Sequence, residues 1–160
     1  MNGNDGHGHP RSTAQIGGHP IHPMLVQFPI VCFILTLVCD LLYTQGHTEL
    51  ATASKWLLLI GLVFAALAAV AGLTDFLGDQ RIRDLGAAWH HLIGNVIAVL
   101  LSLWNWYRRY EAGDAAVLPV GLILSGIVVV ILLYTGWRGW EMVYRHRVGV
   151  SDEGEARVLH

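Results

Sequence analysis

Four long apolar stretches constrain this chain more than any other feature of its sequence. They occupy about residues 24–43, 56–77, 89–107 and 118–140. Each is close to the ~20 residues that an α-helix needs to cross a hydrocarbon core of ~30 Å. The stretches lack the apolar/polar alternation of barrel strands, and a backbone in lipid must satisfy its own hydrogen bonds. The sequence therefore predicts an all-α fold, an integral membrane four-helix bundle with up-down topology.

The composition of the chain supports this membrane interpretation. Hydrophobic residues make up 54% of the sequence and charged residues only 14%, which is too apolar for a surface that faces water on all sides. The net charge of -2, together with the lack of a basic stripe, excludes nucleic acid as a partner. We therefore expect the lipid bilayer to be the main partner, and a homo-oligomer stays open.

Polar segments flank the apolar stretches and divide the chain into three parts. Residues 1–18 are rich in Gly and His and are predicted to be a disordered tail. Residues 19–148 form the four-helix domain, since the connectors between its helices are short. Residues 149–160 are a polar C-terminal tail.

Within the first stretch, Pro23 suits the first turn of a helix, whereas Pro29 is expected to kink the helix or to free a carbonyl.

The arginines are distributed unequally between the two ends of the predicted bundle. With four spans, both termini and the connector 78–88 share one face. That face carries Arg11, Arg81, Arg83, Arg138, Arg145, Arg147 and Arg157, whereas the other face carries Lys55, Arg108 and Arg109. By the positive-inside rule, both termini are predicted to be cytoplasmic.

Ionisable residues gather at the helix ends of that same face. They are His19, His22, Asp75, His90, His91, Glu141, Arg145 and His146. An ionisable side chain at membrane depth is costly unless it is paired or ligated, so this cluster is a candidate functional site. The polar residues at the opposite helix ends are expected to be ordinary loop polarity. They are Asp40, His47, Glu49, Glu111 and Asp114.

Helical spacing refines the candidate site. Asn95 follows His91 by four residues, so both lie on one face of the third helix, and Asn95 can orient the imidazole or bond across the bundle. His90 lies about 100° away from His91, so at most one of the two faces the bundle centre. Glu141 and Arg145 are also spaced by four, which suits a salt bridge as well as a site role. Trp137, Trp140 and Tyr144 are typical of an aromatic belt.

Several motifs resemble one known family. They are GGHPIHPMLVQFPI with Asp40 closing the first span, GLTDF, HHLIGN, and the final GWRGWEMVYRHRVGV. In these motifs the chain is similar to the prokaryotic membrane proteins grouped as domain of unknown function 2231. The resemblance implies the cytoplasmic (inner) membrane of a bacterium. Family members that are fused to cytochrome c or Rieske modules imply redox work in the membrane. Many members carry a histidine where this chain has Gln27, so it offers no imidazole there.

The first functional hypothesis is a haem b site. Two imidazoles from facing helices of a bundle can supply both axial ligands of haem iron. His22 and His91 begin their spans on the same face, so they are the predicted ligands, with His19 as an alternative and Asn95 as a neighbour. Arg138 and Arg145 could pair with the haem propionates.

The second hypothesis is a site for a single transition metal ion. His22, His91 and Asp75 would form a set of two histidines and one carboxylate, which Glu141 or His19 would complete. Nothing in the spacing selects among iron, zinc and copper.

Two further hypotheses need no cofactor. Asp75, His91 and Glu141 could relay protons or metal ions, although four spans without broken-helix repeats suit a transporter poorly. The cluster could also be a hydrogen-bonded polar lock in a structural or accessory subunit. We favour a haem- or metal-binding accessory to membrane electron transfer, with a membrane or soluble redox protein as its partner. The sequence leaves open whether the chain is an enzyme.

Overall fold

The computed structural model of the protein describes residues 9–10 and 12–150 and is about 81% helical. Its helices are α1 (Ile21–Leu25), α2 (Gln27–Tyr43), α3 (Leu50–Gly78), α4 (Gln80–Arg83), α5 (Gly86–Ala112) and α6 (Leu122–Tyr144). A short antiparallel ladder pairs β1 (Gln15–Ile16) with β2 (His19–Pro20). Among the described residues, three stretches are long and apolar enough to cross a membrane, namely Ile21–Tyr43, Leu50–Gly78 and Gly86–Tyr144.

The third of these stretches contains two helices that lie against each other. Helix α5 ends at Gly113, where a φ of 59° takes the backbone out of the helical region. A 3-10 turn, Gly113–Ala116, and a π turn, Val117–Gly121, then lead into α6. His91 near the start of α5 contacts Thr135 near the end of α6, whereas Asn105 contacts Gly121. The two helices are therefore antiparallel.

The helices extend beyond the apolar stretches at several ends. Helix α3 begins at Leu50, before the apolar stretch 56–77, and α5 extends to Ala112, past the end of the stretch 89–107. Both extensions carry good helix formers, so the helices continue beyond the apolar stretches. In the first stretch, α1 and α2 are separated by Val26. Proline has no backbone N–H, so Pro29 cannot donate the helical hydrogen bond to the carbonyl of Leu25, four residues earlier. The loss of this bond explains why the helix is interrupted at Val26.

Residues 12–20, most of which fall in the predicted N-terminal tail, contain β1 and β2 and contact the end of α3. The carboxylate oxygen Oδ1 of Asp75 accepts hydrogen bonds from the Ser12 hydroxyl at 2.9 Å and from the backbone N–H groups of Thr13 and Ala14, each at 2.7 Å. These bonds offset the cost of placing a carboxylate near the end of α3. Residues 1–8, 11 and 151–160, which include the rest of both predicted tails, lie outside the described residues.

The polarity of the packed helices is the reverse of that in a soluble protein. Aliphatic side chains cover the outside, and Val130 and Leu133 are 66% and 69% exposed. Buried polar side chains within the helices are Thr36, Asp40, Ser54, Ser102, Asn105, Arg109, Ser125 and Thr135. Between the two polar ends lies a layer of small and apolar residues, Phe33, Leu58, Ala65, Ala98 and Val128. An apolar outside and a polar inside are expected where the surrounding solvent is lipid.

A buried ion pair joins the helices at one end of this arrangement. Arg109 of α5 donates two hydrogen bonds of 2.7 Å to the two carboxylate oxygens of Asp40 of α2, and both side chains are at most 1% exposed. The expectation that Asp40 is ordinary loop polarity is therefore wrong. It lies on the buried face of α2, and its charge is balanced inside the protein.

Three further side chains complete the hydrogen bonds of this ion pair. Arg109 also donates to the Ser54 hydroxyl of α3 and, through Nε, to the Asn105 amide oxygen at 3.0 Å. The Ser125 hydroxyl of α6 donates to Asp40 at 2.7 Å. We call Asp40, Ser54, Asn105, Arg109 and Ser125 the buried polar network. It joins α2, α3, α5 and α6 at a single point.

Removing the negative charge of Asp40 tests the contribution of this network. In Asp40→Asn, Arg109 keeps its charge in a buried position without a counter-charge, so the free energy of unfolding should fall by roughly 3–5 kcal/mol. Reversible unfolding in mixed micelles, followed by tryptophan fluorescence, measures the change. The control is Asp114→Asn, which makes the same substitution at an exposed position. Equal stability of the two variants would contradict the assigned role.

Candidate functional site

His22 is held against α3 at the end of the structure opposite the buried polar network. Its Nδ1 atom lies 2.8 Å from the carbonyl oxygen of Ala68. A Cβ atom added to Gly72, one turn further along α3, would come within 2.8 Å of the imidazole ring. The ring can therefore lie against the backbone of α3 only because residue 72 has no side chain.

His91 is held against α6 by the same combination of groups. Its Nδ1 atom lies 2.8 Å from the carbonyl oxygen of Thr135, and a Cβ atom on Gly139 would lie 3.3 Å from the ring. As with His22, the glycine follows the carbonyl residue by four positions. The two histidines thus occupy equivalent pockets on two different helices.

The two imidazoles also contact each other. Their ring centroids are 6.1 Å apart and their planes are inclined by 80°. A carbonyl oxygen can only accept a hydrogen bond, so each Nδ1 must carry a proton and donate it. In the neutral ring this leaves Nε2 unprotonated, with its lone pair free. Histidines that bind metals or haem iron commonly have this tautomer, set in the same way by a backbone carbonyl.

Asn95 and Thr135 support the position of His91. The Asn95 amide donates to the backbone carbonyl of His91 at 2.7 Å, not to its ring. The Thr135 hydroxyl donates to the amide oxygen of Asn95 at 3.3 Å across the contact between α5 and α6. Asn95 therefore bonds across the helices, as its spacing predicts, and it acts on the backbone that carries the imidazole.

An apolar cluster with members on α3, α4, α5 and α6 lies near the histidines. Its buried members are Phe76, Ile82 and Ala88, and Leu85, Leu92, Met142 and Val148 pack against them. Phe76 follows Gly72 by four residues, Ala88 precedes His91 by three, and Met142 follows Gly139 by three. The cluster therefore lies between the histidine pair and the nearest ends of α3 and α6.

The other predicted site residues have different partners. Asp75 binds residues 12–14, as described above. Glu141 pairs with Arg138 at 2.9 Å and with Arg145 at 3.3 Å, so the expected salt bridge of residues 141 and 145 is present. His19 is exposed on β2. Within residues 9–10 and 12–150, no group of three or more His, Cys, Asp or Glu side chains could hold a metal ion.

Two features of the site are absent from the sequence interpretation. One is the contact of Gly139 with the His91 ring. Gly139 follows Thr135 by four residues, just as Gly72 follows Ala68, and this repeated spacing could have indicated the contact. The other is a second cluster of polar side chains, on the outer surface. In it the Tyr134 hydroxyl lies 3.0 Å from His90 Nδ1 and accepts a hydrogen bond of 3.3 Å from Arg138 Nε. The spacing of Tyr134 and Arg138 by four residues is consistent with this contact.

Substitution of Gly72 tests whether the backbone of α3 positions His22. In Gly72→Ala the new methyl group would overlap the ring, so His22 should leave Ala68 and the free energy of unfolding should fall by about 1–3 kcal/mol. Nitrogen-15 NMR of labelled histidine should show the loss of the Nδ1–H···O=C hydrogen bond. In the control, Gly136→Ala, a Cβ atom meets nothing within 4 Å, so the spectrum should not change. An unchanged spectrum in both variants would contradict the assignment.

Comparison with known proteins places the chain in a family of membrane proteins. No curated protein and no solved structure matches the chain. The model of a family described as "Predicted membrane protein (DUF2231)" matches residues 18–152. This range contains both histidines, the glycines against which they pack and the whole buried polar network. The match confirms the resemblance noted from the sequence motifs, and the chain belongs to the family of predicted membrane proteins DUF2231.

Proposed function

We propose that the protein forms four up-down membrane spans and binds one haem b between His22 and His91, as an electron-transfer component of a bacterial cytoplasmic membrane. The observation that carries the proposal is the paired arrangement of the two imidazoles, 6.1 Å apart, each with Nδ1 bonded to a backbone carbonyl.

The four-span topology is supported by the lengths and the contacts of α5 and α6. They contain 27 and 23 residues, which correspond to roughly 40 and 35 Å at 1.5 Å per residue. Each is long enough to cross a hydrocarbon core by itself. Because the two helices are antiparallel, the turn around Asp114 would lie on the same side of the membrane as the loop around Thr48.

Cysteine labelling tests this topology. In a background with Cys32→Ala and Cys39→Ala, Thr48→Cys and Asp114→Cys should react with an impermeant maleimide from the same side of the membrane. Asp84→Cys should react only from the other side, which we expect to be cytoplasmic. All three positions are exposed. If Gly86–Tyr144 crossed the membrane once, Asp114→Cys would be protected or would react from the wrong side.

Haem fits the available donors better than a bare metal ion does. A transition metal ion bound by protein alone needs at least three donors at a catalytic site and four at a structural site. The porphyrin supplies four nitrogens, so haem iron needs only two axial side chains. Two imidazole nitrogens, each about 2.0 Å from one metal, put the ring centres about 6 Å apart. The separation of His22 and His91 agrees with this value.

The surroundings of the histidines suit a haem of the b type. The cluster of Phe76, Ile82 and Ala88 would limit contact with water, and the chain offers no CxxCH motif for covalent attachment. Arg145 is exposed and bonds to Glu141 through Nη1 at 3.3 Å, so its remaining N–H groups could bind a propionate. Haem held in this way supplies one-electron transfer.

An absorption spectrum of the detergent-purified protein tests the proposal. Haem b gives a Soret band and, after reduction with dithionite, a sharp α band. His22→Ala and His91→Ala should each lose both bands, because one axial ligand and its pocket are removed. The control is His47→Ala, which removes an exposed imidazole from the far end of the protein and should keep the spectrum.

Each outcome of that experiment separates the functional hypotheses. Retention of full haem in His91→Ala would reject the axial pair. A protein without a Soret band but with stoichiometric iron, zinc or copper would favour a metal-ion site instead. A protein with neither would favour a structural accessory subunit. That second candidate is supported by the two hydrogen bonds that His22 and His91 already make to neighbouring helices.

A further inference from the structure

A second site lies on the outer surface between α5 and α6. It is an open cleft of about 280 Å³, lined by His90, Ile93, Gly94, Ile97, Ile131 and Tyr134. His90 and Tyr134 form its polar end, and the other four residues are apolar. In a four-span arrangement this surface faces lipid, so a molecule could enter the cleft from within the membrane.

The shape of the cleft follows from the positions of its residues on α5. His90 lies near the start of the helix, and Ile97 lies seven residues later, near its middle, which is a distance of roughly 10 Å. Ile93 and Ile97 are spaced by four and lie on the same side of α5. The cleft therefore runs from a polar end near the membrane face to an apolar end near the membrane centre.

Hydrogen bonds at the polar end indicate what kind of group could bind there. Arg138 Nε can only donate, so its bond of 3.3 Å makes the Tyr134 oxygen an acceptor. We assign the Tyr134 O–H as the donor to His90 Nδ1, 3.0 Å away, because the hydroxyl group then makes one bond as an acceptor and one as a donor. With Nδ1 accepting, the neutral His90 ring carries its proton on Nε2. The polar end thus offers an N–H donor to a ligand that accepts.

The guanidinium group at the polar end already has a carboxylate partner. Arg138 lies over the Tyr134 ring, 5.3 Å from its centroid, and pairs with Glu141 at 2.9 Å. An anionic head group would compete with Glu141 for the same guanidinium, whereas a neutral acceptor would not. The ligand that matches is therefore neutral and membrane-soluble, with a carbonyl group at one end and an apolar body.

We propose that this cleft binds the head group of an isoprenoid quinone, with one ring carbonyl accepting a hydrogen bond from His90 and the ring between Ile93, Ile97 and Ile131. The volume of about 280 Å³ is close to the lower end of ligand pockets and suits one substituted ring, with the tail left in the lipid. Binding rests on the cleft alone. His90 directly precedes His91 on α5, so a quinone bound here would lie near the haem, and this further point rests on the proposed function.

Photolabelling of the full-length protein tests the quinone site. An azido-benzoquinone with a ten-carbon tail is cross-linked to the protein in detergent micelles, and the labelled peptides are mapped by mass spectrometry. Label should appear on residues 90–97 or 131–134, and excess decyl-ubiquinone should remove it. Tyr134→Phe should weaken the apparent affinity about tenfold, because His90 loses the partner that sets its tautomer.

A steric variant and matched controls separate binding from folding. Ile97→Phe should fill the cleft and also weaken labelling about tenfold. Its control is Ile60→Phe on α3, since both isoleucines are 45% exposed, and the control for Tyr134→Phe is Tyr107→Phe on the outer surface of α5. Both controls should keep the wild-type labelling.

Three results would overturn the quinone site. They are equal labelling of Ile97→Phe and Ile60→Phe, labelling that excess quinone does not remove, and labelling that phospholipid removes as well as quinone does. The last result would assign the cleft to an ordinary lipid chain. The Soret band measured on the same samples keeps the two proposals distinct, because loss of either signal leaves the other as an independent result.

Discussion

The buried ion pair between Asp40 and Arg109 is the interaction on which the arrangement of the helices most depends. In lipid, apolar side chains gain little by leaving the solvent, so helix association relies on close packing and on hydrogen bonds between helices. A charged pair in the interior also penalises every arrangement that separates its members, because each would leave a buried charge unpaired. With Ser54, Asn105 and Ser125, this pair specifies how α2, α3, α5 and α6 meet at one end.

At the opposite end, polar side chains bond to the backbone of a neighbouring helix, whereas in the buried polar network they bond mainly to one another. His22 and His91 each bond to a carbonyl that already belongs to a helix, and a glycine one turn later gives the ring access to it. A side chain at position 72 would overlap the ring of His22, and one at position 139 would press against the ring of His91, so both positions favour glycine. The apolar layer around Phe33 separates the two polar ends, which favours two local sites over a continuous path for protons.

Some features of the candidate site could be predicted from residue spacing alone. The positions of His22 and His91 at the starts of their spans predict that the two histidines lie at the same depth, and their rings are in contact. The four-residue spacing of Glu141 and Arg145 predicts their ion pair. In contrast, Asp75 shares the same face in sequence, yet it binds residues 12–14. A carboxylate takes the nearest available N–H donors, and which donors are nearest depends on how the N-terminal segment folds back.

The sequence by itself determined the chemical nature of this protein, because hydrophobic stretches of spanning length can satisfy their backbone in lipid only as helices. It also determined the family and the helix ends at which the histidines gather. Only the tertiary structure decided the partners of the polar residues. Asp40 and Arg109 are 69 residues apart and belong to different apolar stretches, so no local pattern links them. Their pairing, like that of each histidine with its carbonyl, is set by the rotation of each helix about its axis, which depends on packing against its neighbours.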